Sequence, residues 1–268
     1  KDWAGATSRL EALMALMPSE KQVRAEQIPV GVEDYLKEQL APARASILRG
    51  FLAVYLGSAN LPKAAETAER LNAISPDISG LQILSDIYLQ MRNHDKFLEN
   101  GRKILDKTPI SQPLGLSTAL QMAQIHIQEQ NVNAATDLYT RVMDVYGDKL
   151  PPNVTEAQWN PLRAVAFGLM AARAYQKKDY AKAEQLYGRV MRFDPGRDDS
   201  HYFIGMARWQ QQNPKDAMEP FAKAVVLNKD YAQRARQHLE QIYKGLNNDS
   251  LEGLDKLLAK ARSDLGLK

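Results

Sequence analysis

"AVAFGLMAARAYQKKDYAKAEQLYGRVMRFDP", residues 164–195, carries two apolar periodicities back to back. Phe167, Met170, Ala171, Ala174 and Tyr175 recur at helical spacing, Ala183, Leu186, Tyr187 and Val190 do so again, and Pro195 stops the second run. The spacing predicts two helices meeting at Asp179-Tyr180. The layout then returns over residues 198–230: Ile204 and Gly205 stand 34 residues beyond Met170 and Ala171, and Ala217, Phe221 and Ala224 take the places of Ala183, Tyr187 and Val190. A fixed period of this length is the mark of a repeat array, and it decides the fold class before any single residue does.

Earlier copies are weaker but aligned. Residues 116–147 offer Met122, Ala123, Ala135, Tyr139 and Val142; residues 78–109 offer Leu81, Leu84, Ser85, Tyr88, Ile104 and Pro109; residues 45–76 offer Leu48, Phe51, Tyr55, Ala64, Ala68, Leu71 and Pro76. Small residues where two helices cross, a large residue four after the second small one, and a closing proline together resemble the tetratricopeptide repeat family, of a bacterial kind. The resemblance implies an all-α, right-handed superhelical solenoid of antiparallel helix pairs. In the 78–109 copy Phe97 and Gly101 exchange the usual small and large places, so a different helix crossing is expected there.

The resulting division is a half repeat, second helix only, over residues 1–18; a linker with a short helix over 19–44; three repeat-like units over 45–147; a long loop over 148–163; two well-matched units over 164–230; and C-terminal capping helices over 231–268. In "KDWAGATSRLEALMALMP" the residues Trp3, Ala6, Leu10, Leu13 and Pro18 copy the spacing of Tyr180, Ala183, Tyr187, Val190 and Pro195. The opening therefore reads as the cut edge of a longer array, and its apolar face requires cover from the Val32–Leu40 region or from a neighbouring chain. Self-association through this half repeat is an expected possibility. Near the other end, Asp249 and Glu252 have the spacing of a capping box, ahead of Leu254, Leu257, Leu258, Ala261 and Leu265 on one helix face.

Composition narrows the function. The chain of 268 residues is 44% hydrophobic and 25% charged with a net charge of +3, an ordinary folded composition with too little excess cation to track a phosphate backbone. Without cysteine there are no disulfides, thiol nucleophiles or Cys-type zinc sites. No stretch reaches 18 consecutive apolar residues, and cytoplasm and bacterial periplasm both remain open as compartments. His94, His126, His201 and His238 never pair at a helical metal spacing, and His126 and His201 occupy core positions of the repeat. No glycine-rich nucleotide loop or nucleophile elbow occurs. No catalytic residue, cofactor, metal or nucleic-acid partner is expected.

A protein or peptide partner is expected instead. The resemblance implies that first helices of successive pairs line a concave groove, whose candidate residues here are Leu120, Gln124, Ile127 and Gln128, then Tyr175 and Gln176, then Tyr202, Met206, Trp209 and Gln210. Gln90, Gln128, Gln176 and Gln210 recur at one repeat position, and an amide both donates to and accepts from an extended backbone. Tyr175, Tyr202, Met206 and Trp209 supply side-chain types favoured at binding hot spots. Two alternatives stay open: a regulatory or targeting arm of a larger enzyme or envelope assembly, and an RNA-binding helical repeat.

Overall fold

The computed structural model describes residues 2–26 and 31–267; Lys1, Pro29 of the linker and Lys268 lie outside the described residues. Every regular element described is helical: α1 (Trp3–Ala15), α2 (Glu20–Ala25), α3 (Val32–Tyr35), α4 (Ala41–Gly57), α5 (Leu61–Ile74), α6 (Ile78–Gln90), α7 (His94–Lys107), α8 (Pro113–Gln128), α9 (Val132–Tyr146), α10 (Glu156–Gln176), α11 (Tyr180–Phe193), α12 (Asp198–Gln210), α13 (Pro214–Leu227), α14 (Ala232–Leu246) and α15 (Leu254–Asp264). Among the described residues no helix is long and apolar enough to cross a membrane. The chain divides into two compact units, Lys1–Ile125 and His126–Lys268.

One turn recurs within both units. The helix pairs α4–α5, α6–α7, α10–α11 and α12–α13, and the turn from α8 to α9, each pass through one residue in the left-handed region: Ala59, Arg92, Lys178, Gln212 and Gln130, at φ 55–61°. The residue that follows is Asn60, Asn93, Asp179, Asn213 or Asn131. Its N–H reaches back five residues to a carbonyl, as in Asn60 to Tyr55 at 2.8 Å and Asp179 to Ala174 at 2.9 Å. The left-handed residue meanwhile donates three residues back, as in Lys178 to Tyr175 at 2.9 Å. This is a Schellman turn, which satisfies the last carbonyls of the first helix. The same Asn or Asp then opens the second helix: Asp179 accepts from Lys182 N at 3.2 Å and Asn60 from Lys63 N at 3.3 Å.

Within the first unit α1 packs on α4, as a second helix packs on the first helix of the next pair. Two glycines make room. A Cβ on Gly50 would fall 2.8 Å from Leu10 Cδ2, and one on Gly57 2.5 Å from Trp3 Cη2. The cover remains one-sided, because no residue of α1 is buried and Leu13 and Leu16 stay 51% and 82% exposed. The linker is more helical than the single short run expected: α2 opens with a Ser19–Gln22 capping box and buries Val23, and α3 runs through a π-helical turn at Leu36–Leu40 directly into α4. The Phe97–Gly101 exchange also has a physical reason. Phe97 is buried, and the space left at Gly101 is taken by Met122, whose Sδ would stand 2.5 Å from an added Cβ.

In the second unit the connection read as a loop over 148–163 ends early, since α10 starts at Glu156. Thr155 and Gln158 form a reciprocal capping box, and Pro161 is accommodated inside the helix at the cost of one backbone donor. Arg163, 3% exposed, staples the shortened loop by donating to the carbonyls of Gly147 at 3.2 Å and Lys149 at 2.8 Å. At the C-terminus the capping box expected at Asp249–Glu252 is absent. Asp249 sits at φ 64°, and Gly253, at φ 91°, is the residue that precedes α15. Leu254 and Ala261 are buried in one cluster with α13 and α14.

Two pairs of substitutions test this account by urea unfolding. Lys178→Gly relieves the left-handed backbone and is expected to raise stability by about 1 kcal/mol, whereas Asp179→Ala removes the cap and lowers it by about 1 kcal/mol. In the second pair, an added methyl at Gly205 meets the Phe221 ring at 2.8 Å while one at Gly188 meets nothing within 4 Å. Gly205→Ala is therefore expected to cost about 1–3 kcal/mol, and Gly188→Ala to gain about 0.5–1 kcal/mol.

Candidate functional site

The aromatic residues singled out from sequence come together in the second unit, but as a lattice rather than an open row. Phe203 is its hub. Its ring lies 5.4 Å from Tyr175, 5.2 Å from Tyr202, 5.5 Å from Tyr231 and 5.5 Å from Tyr187, the last stacked at 8°. Edge-to-face and offset contacts of this kind each contribute about 0.5–1.5 kcal/mol beyond the area they bury. With Tyr202 also meeting Phe221 of α13 at 5.8 Å, five helices or their flanking turns are tied together, from α10 to α14.

Burial sorts the candidates into support and surface. Tyr202 is only 8% exposed: Phe221, Tyr231 and His238 close around it, and its hydroxyl lies 3.3 Å from His238 Nε2. It supports the face and offers little of itself. The reason is α14, which stacks on α13 and lays His238 against Tyr202, so residues read as a cap continue the packing of the pairs. Tyr175, Met206 and Trp209 are half-buried, while Gln176 and Gln210 are exposed beside them in sequence. Gln128 and Ile127, at the end of α8 in this unit, are exposed too, Ile127 by 38%. In the first unit Leu120 is half-buried and Gln124 exposed.

Four participants were missed in the sequence. Phe203 stands beside Tyr202 in "HYFIGM", at the place Leu169 holds one repeat earlier, and its size was the available signal. Tyr231 and His238 fell in the segment read as a cap. Arg197, ahead of α12, lies between two repeat units, where no periodicity marks it. Its guanidinium pairs with Asp199, Nε to Oδ1 at 3.0 Å, and stands over Gly168, where an added Cβ would lie 3.8 Å from Nη1. A fixed cation and carboxylate therefore accompany the aromatics.

Two of this unit's three histidines, His201 and His238, respond to their surroundings in the same direction. Burial lowers His201, with a smaller opposing effect from the Pro195 carbonyl at 3.4 Å, and burial lowers His238. Among the described residues there is no group of three or more His, Cys, Asp or Glu side chains that could hold a metal ion. The arrangement offers amide hydrogen bonding, thioether and indole surface, and one oriented ion pair.

No protein-family model matches the sequence, and no curated protein is similar to it. Among solved structures, MamA is similar at a TM-score of 0.44 and 16% identity, over 67% of this chain and 93% of that one. MamA residues 41-end from Desulfovibrio magneticus RS-1 is similar at a TM-score of 0.38 and 13% identity, over 72% of this chain and 97% of that one. At this distance the helix-pair architecture rests on the chain's own turns and packing.

The histidines give a pH test. Both imidazoles titrate below the ordinary value of 6.5 when folded, so the unfolded chain takes up protons first as the pH falls. Stability is expected to be full above about pH 6.5 and to decline through the lower folded values. Urea midpoints measured between about pH 7.5 and 5 should fall, and His201→Asn should shrink the fall. Trp209, whose ring lies 5.0 Å from His238, should lose fluorescence over the same range, and His238→Gln should abolish that change.

Proposed function

We propose that the second unit is a protein-binding module that takes an extended or helical segment of a partner along α10 and α12, as expected of a tetratricopeptide-like array. The observation that carries this reading is the division of labour among the aromatics. Phe203 and Tyr202 are spent on holding the face rigid, which leaves Tyr175, Met206 and Trp209 half-exposed in fixed positions with Gln176 and Gln210 beside them. A surface held in one conformation loses less entropy when it binds. The glutamines suit an extended backbone because each amide can donate and accept, so capture would depend weakly on the partner's sequence. Tyr175, Met206 and Trp209 would supply the anchors. Binding, with no chemical step, is the role this combination of side chains supports.

Panning the full chain against a displayed library of random peptides tests the reading. Recovered peptides should lose about tenfold in affinity with Gln176→Ala plus Gln210→Ala, and about as much with Met206→Ala. The glutamine pair is exposed, so its circular-dichroism melt should match the parent. Unchanged affinity in both variants, or tight retention of RNA on filters at low salt with no peptide binding, would replace this reading with another.

A further inference from the structure

The junction of α5, α6 and α7 is closed by three side chains. Glu69 accepts from the Tyr88 hydroxyl and from Lys96 Nζ, the latter at 2.5 Å, while the Lys96 ammonium lies 5.2 Å from the centre of the Tyr88 ring. Burial, reinforced by Glu69, pushes the Tyr88 phenol up to about 12. Lys96 first and Tyr88 second hold the Glu69 carboxyl below its usual range.

The same residue types recur one junction earlier. Tyr55 and Lys63 stand 33 residues before Tyr88 and Lys96, and Glu11 follows Ala6 in α1 by the five residues that separate Glu69 from Ala64 in α5. Lys63 already lies 5.6 Å from the centre of the Tyr55 ring. The next turn repeats as well: Glu66 and Arg70 hold the places of Glu99 and Lys103, which are paired at 2.6 Å. Yet this junction is open. Among the described residues Glu11 has no ion-pair partner, and Glu11, Tyr55 and Lys63 line a cleft of about 340 Å³ between α1, α4 and α5.

We propose that this cleft is the open state of a latch, and that it closes when Glu11 accepts from the Tyr55 hydroxyl and the Lys63 ammonium, drawing α1 down onto α5. The charges lining the cleft complement one another, so closure satisfies them without a ligand. The helix that must move is the one with no buried residue, whereas at the closed junction the corresponding helix, α5, buries Ala64, Ala65, Thr67 and Ala68. Closure brings Met14 and Ala15, which line the open cleft, under cover. The latch thus determines whether α1 is a fixed member of the stack or a loosely seated arm.

Native-state amide hydrogen exchange in α1 tests the latch, with the α5–α7 junction as its internal reference. Glu11→Gln, Lys63→Met and Tyr55→Phe should each speed α1 exchange about three- to tenfold, and the Glu11→Gln plus Lys63→Met double variant should be no faster than either single. Glu69→Gln and Lys96→Met should show the same non-additivity in α7. Coupling in α7 with additive or absent effects in α1 would overturn the proposal. These side chains are exposed or half-exposed, so the variants retain the fold, and the result is independent of whether the second unit binds peptides.

Discussion

Everything else in both units rests on a five-residue backbone constraint, the closing of a helix on itself through one left-handed residue. A first helix leaves the carbonyls of its last turn to satisfy, and the reach-back from the following Asn or Asp N–H satisfies one of them, that of Tyr55, Tyr88, His126, Ala174 or Arg208, while reversing the chain. Because the reversal occupies a fixed number of residues, the second helix starts in fixed rotational phase with the first. The small residues Ala64, Ala135, Ala183 and Ala217 therefore arrive at the crossing after four of the five turns, all fully buried, and Phe97 takes the same place in α7. Had the turns varied, the apolar stripes would have met at unrelated angles.

From that phase the packing follows. Close approach at Gly205 admits the Phe221 ring, and the exchange of Phe97 and Gly101 is answered by Met122 from the next helix, so volume is conserved locally even where the pattern departs. In the second unit the large residues are aromatic and touch ring to ring. In the first they are mostly aliphatic, and the α5–α6–α7 corner is tied by Glu69, Tyr88 and Lys96. The second unit adds ring quadrupoles to charge-assisted pairs such as Arg208 with Glu184, whereas the α5–α6–α7 corner of the first relies on the charge-assisted group. The aromatic solution tolerates salt, and the ionic one weakens with it.

The repeat itself was legible because 3.6-residue periodicity survives in every copy, and the pairing of helices needed nothing more. The candidate face was legible in composition but not in depth. Tyr202 and Trp209 look alike in a helical wheel and both meet His238 of α14, and it is the further contacts with Phe221 and Tyr231 that bury Tyr202 and leave Trp209 half-exposed. The early start of α10 could have been read, since "TEAQ" at 155–158 is a capping box, but the prolines around it argued for a loop, and a proline inside a helix costs only one donor when the rest of the turn is capped. The ending at 249–253 shows the converse: Asp249 and Glu252 have the right spacing, yet the backbone at Asp249 is left-handed and the cap cannot form. Spacing alone does not carry φ.

Because each Schellman turn draws its hydrogen bonds from the helix it ends and the helix it begins, a pair carries its own punctuation. A pair can be duplicated or excised at its outer boundaries without disturbing any turn, and the change is felt only at the two faces where it met its neighbours. The uneven separations of Asn60, Asn93, Asn131, Asp179 and Asn213 are consistent with that freedom: inserted residues accumulate between pairs, as at 147–155, and never inside a turn. A chain of this design changes length in whole pairs, so descent within it is better traced by counting turns than by aligning residues.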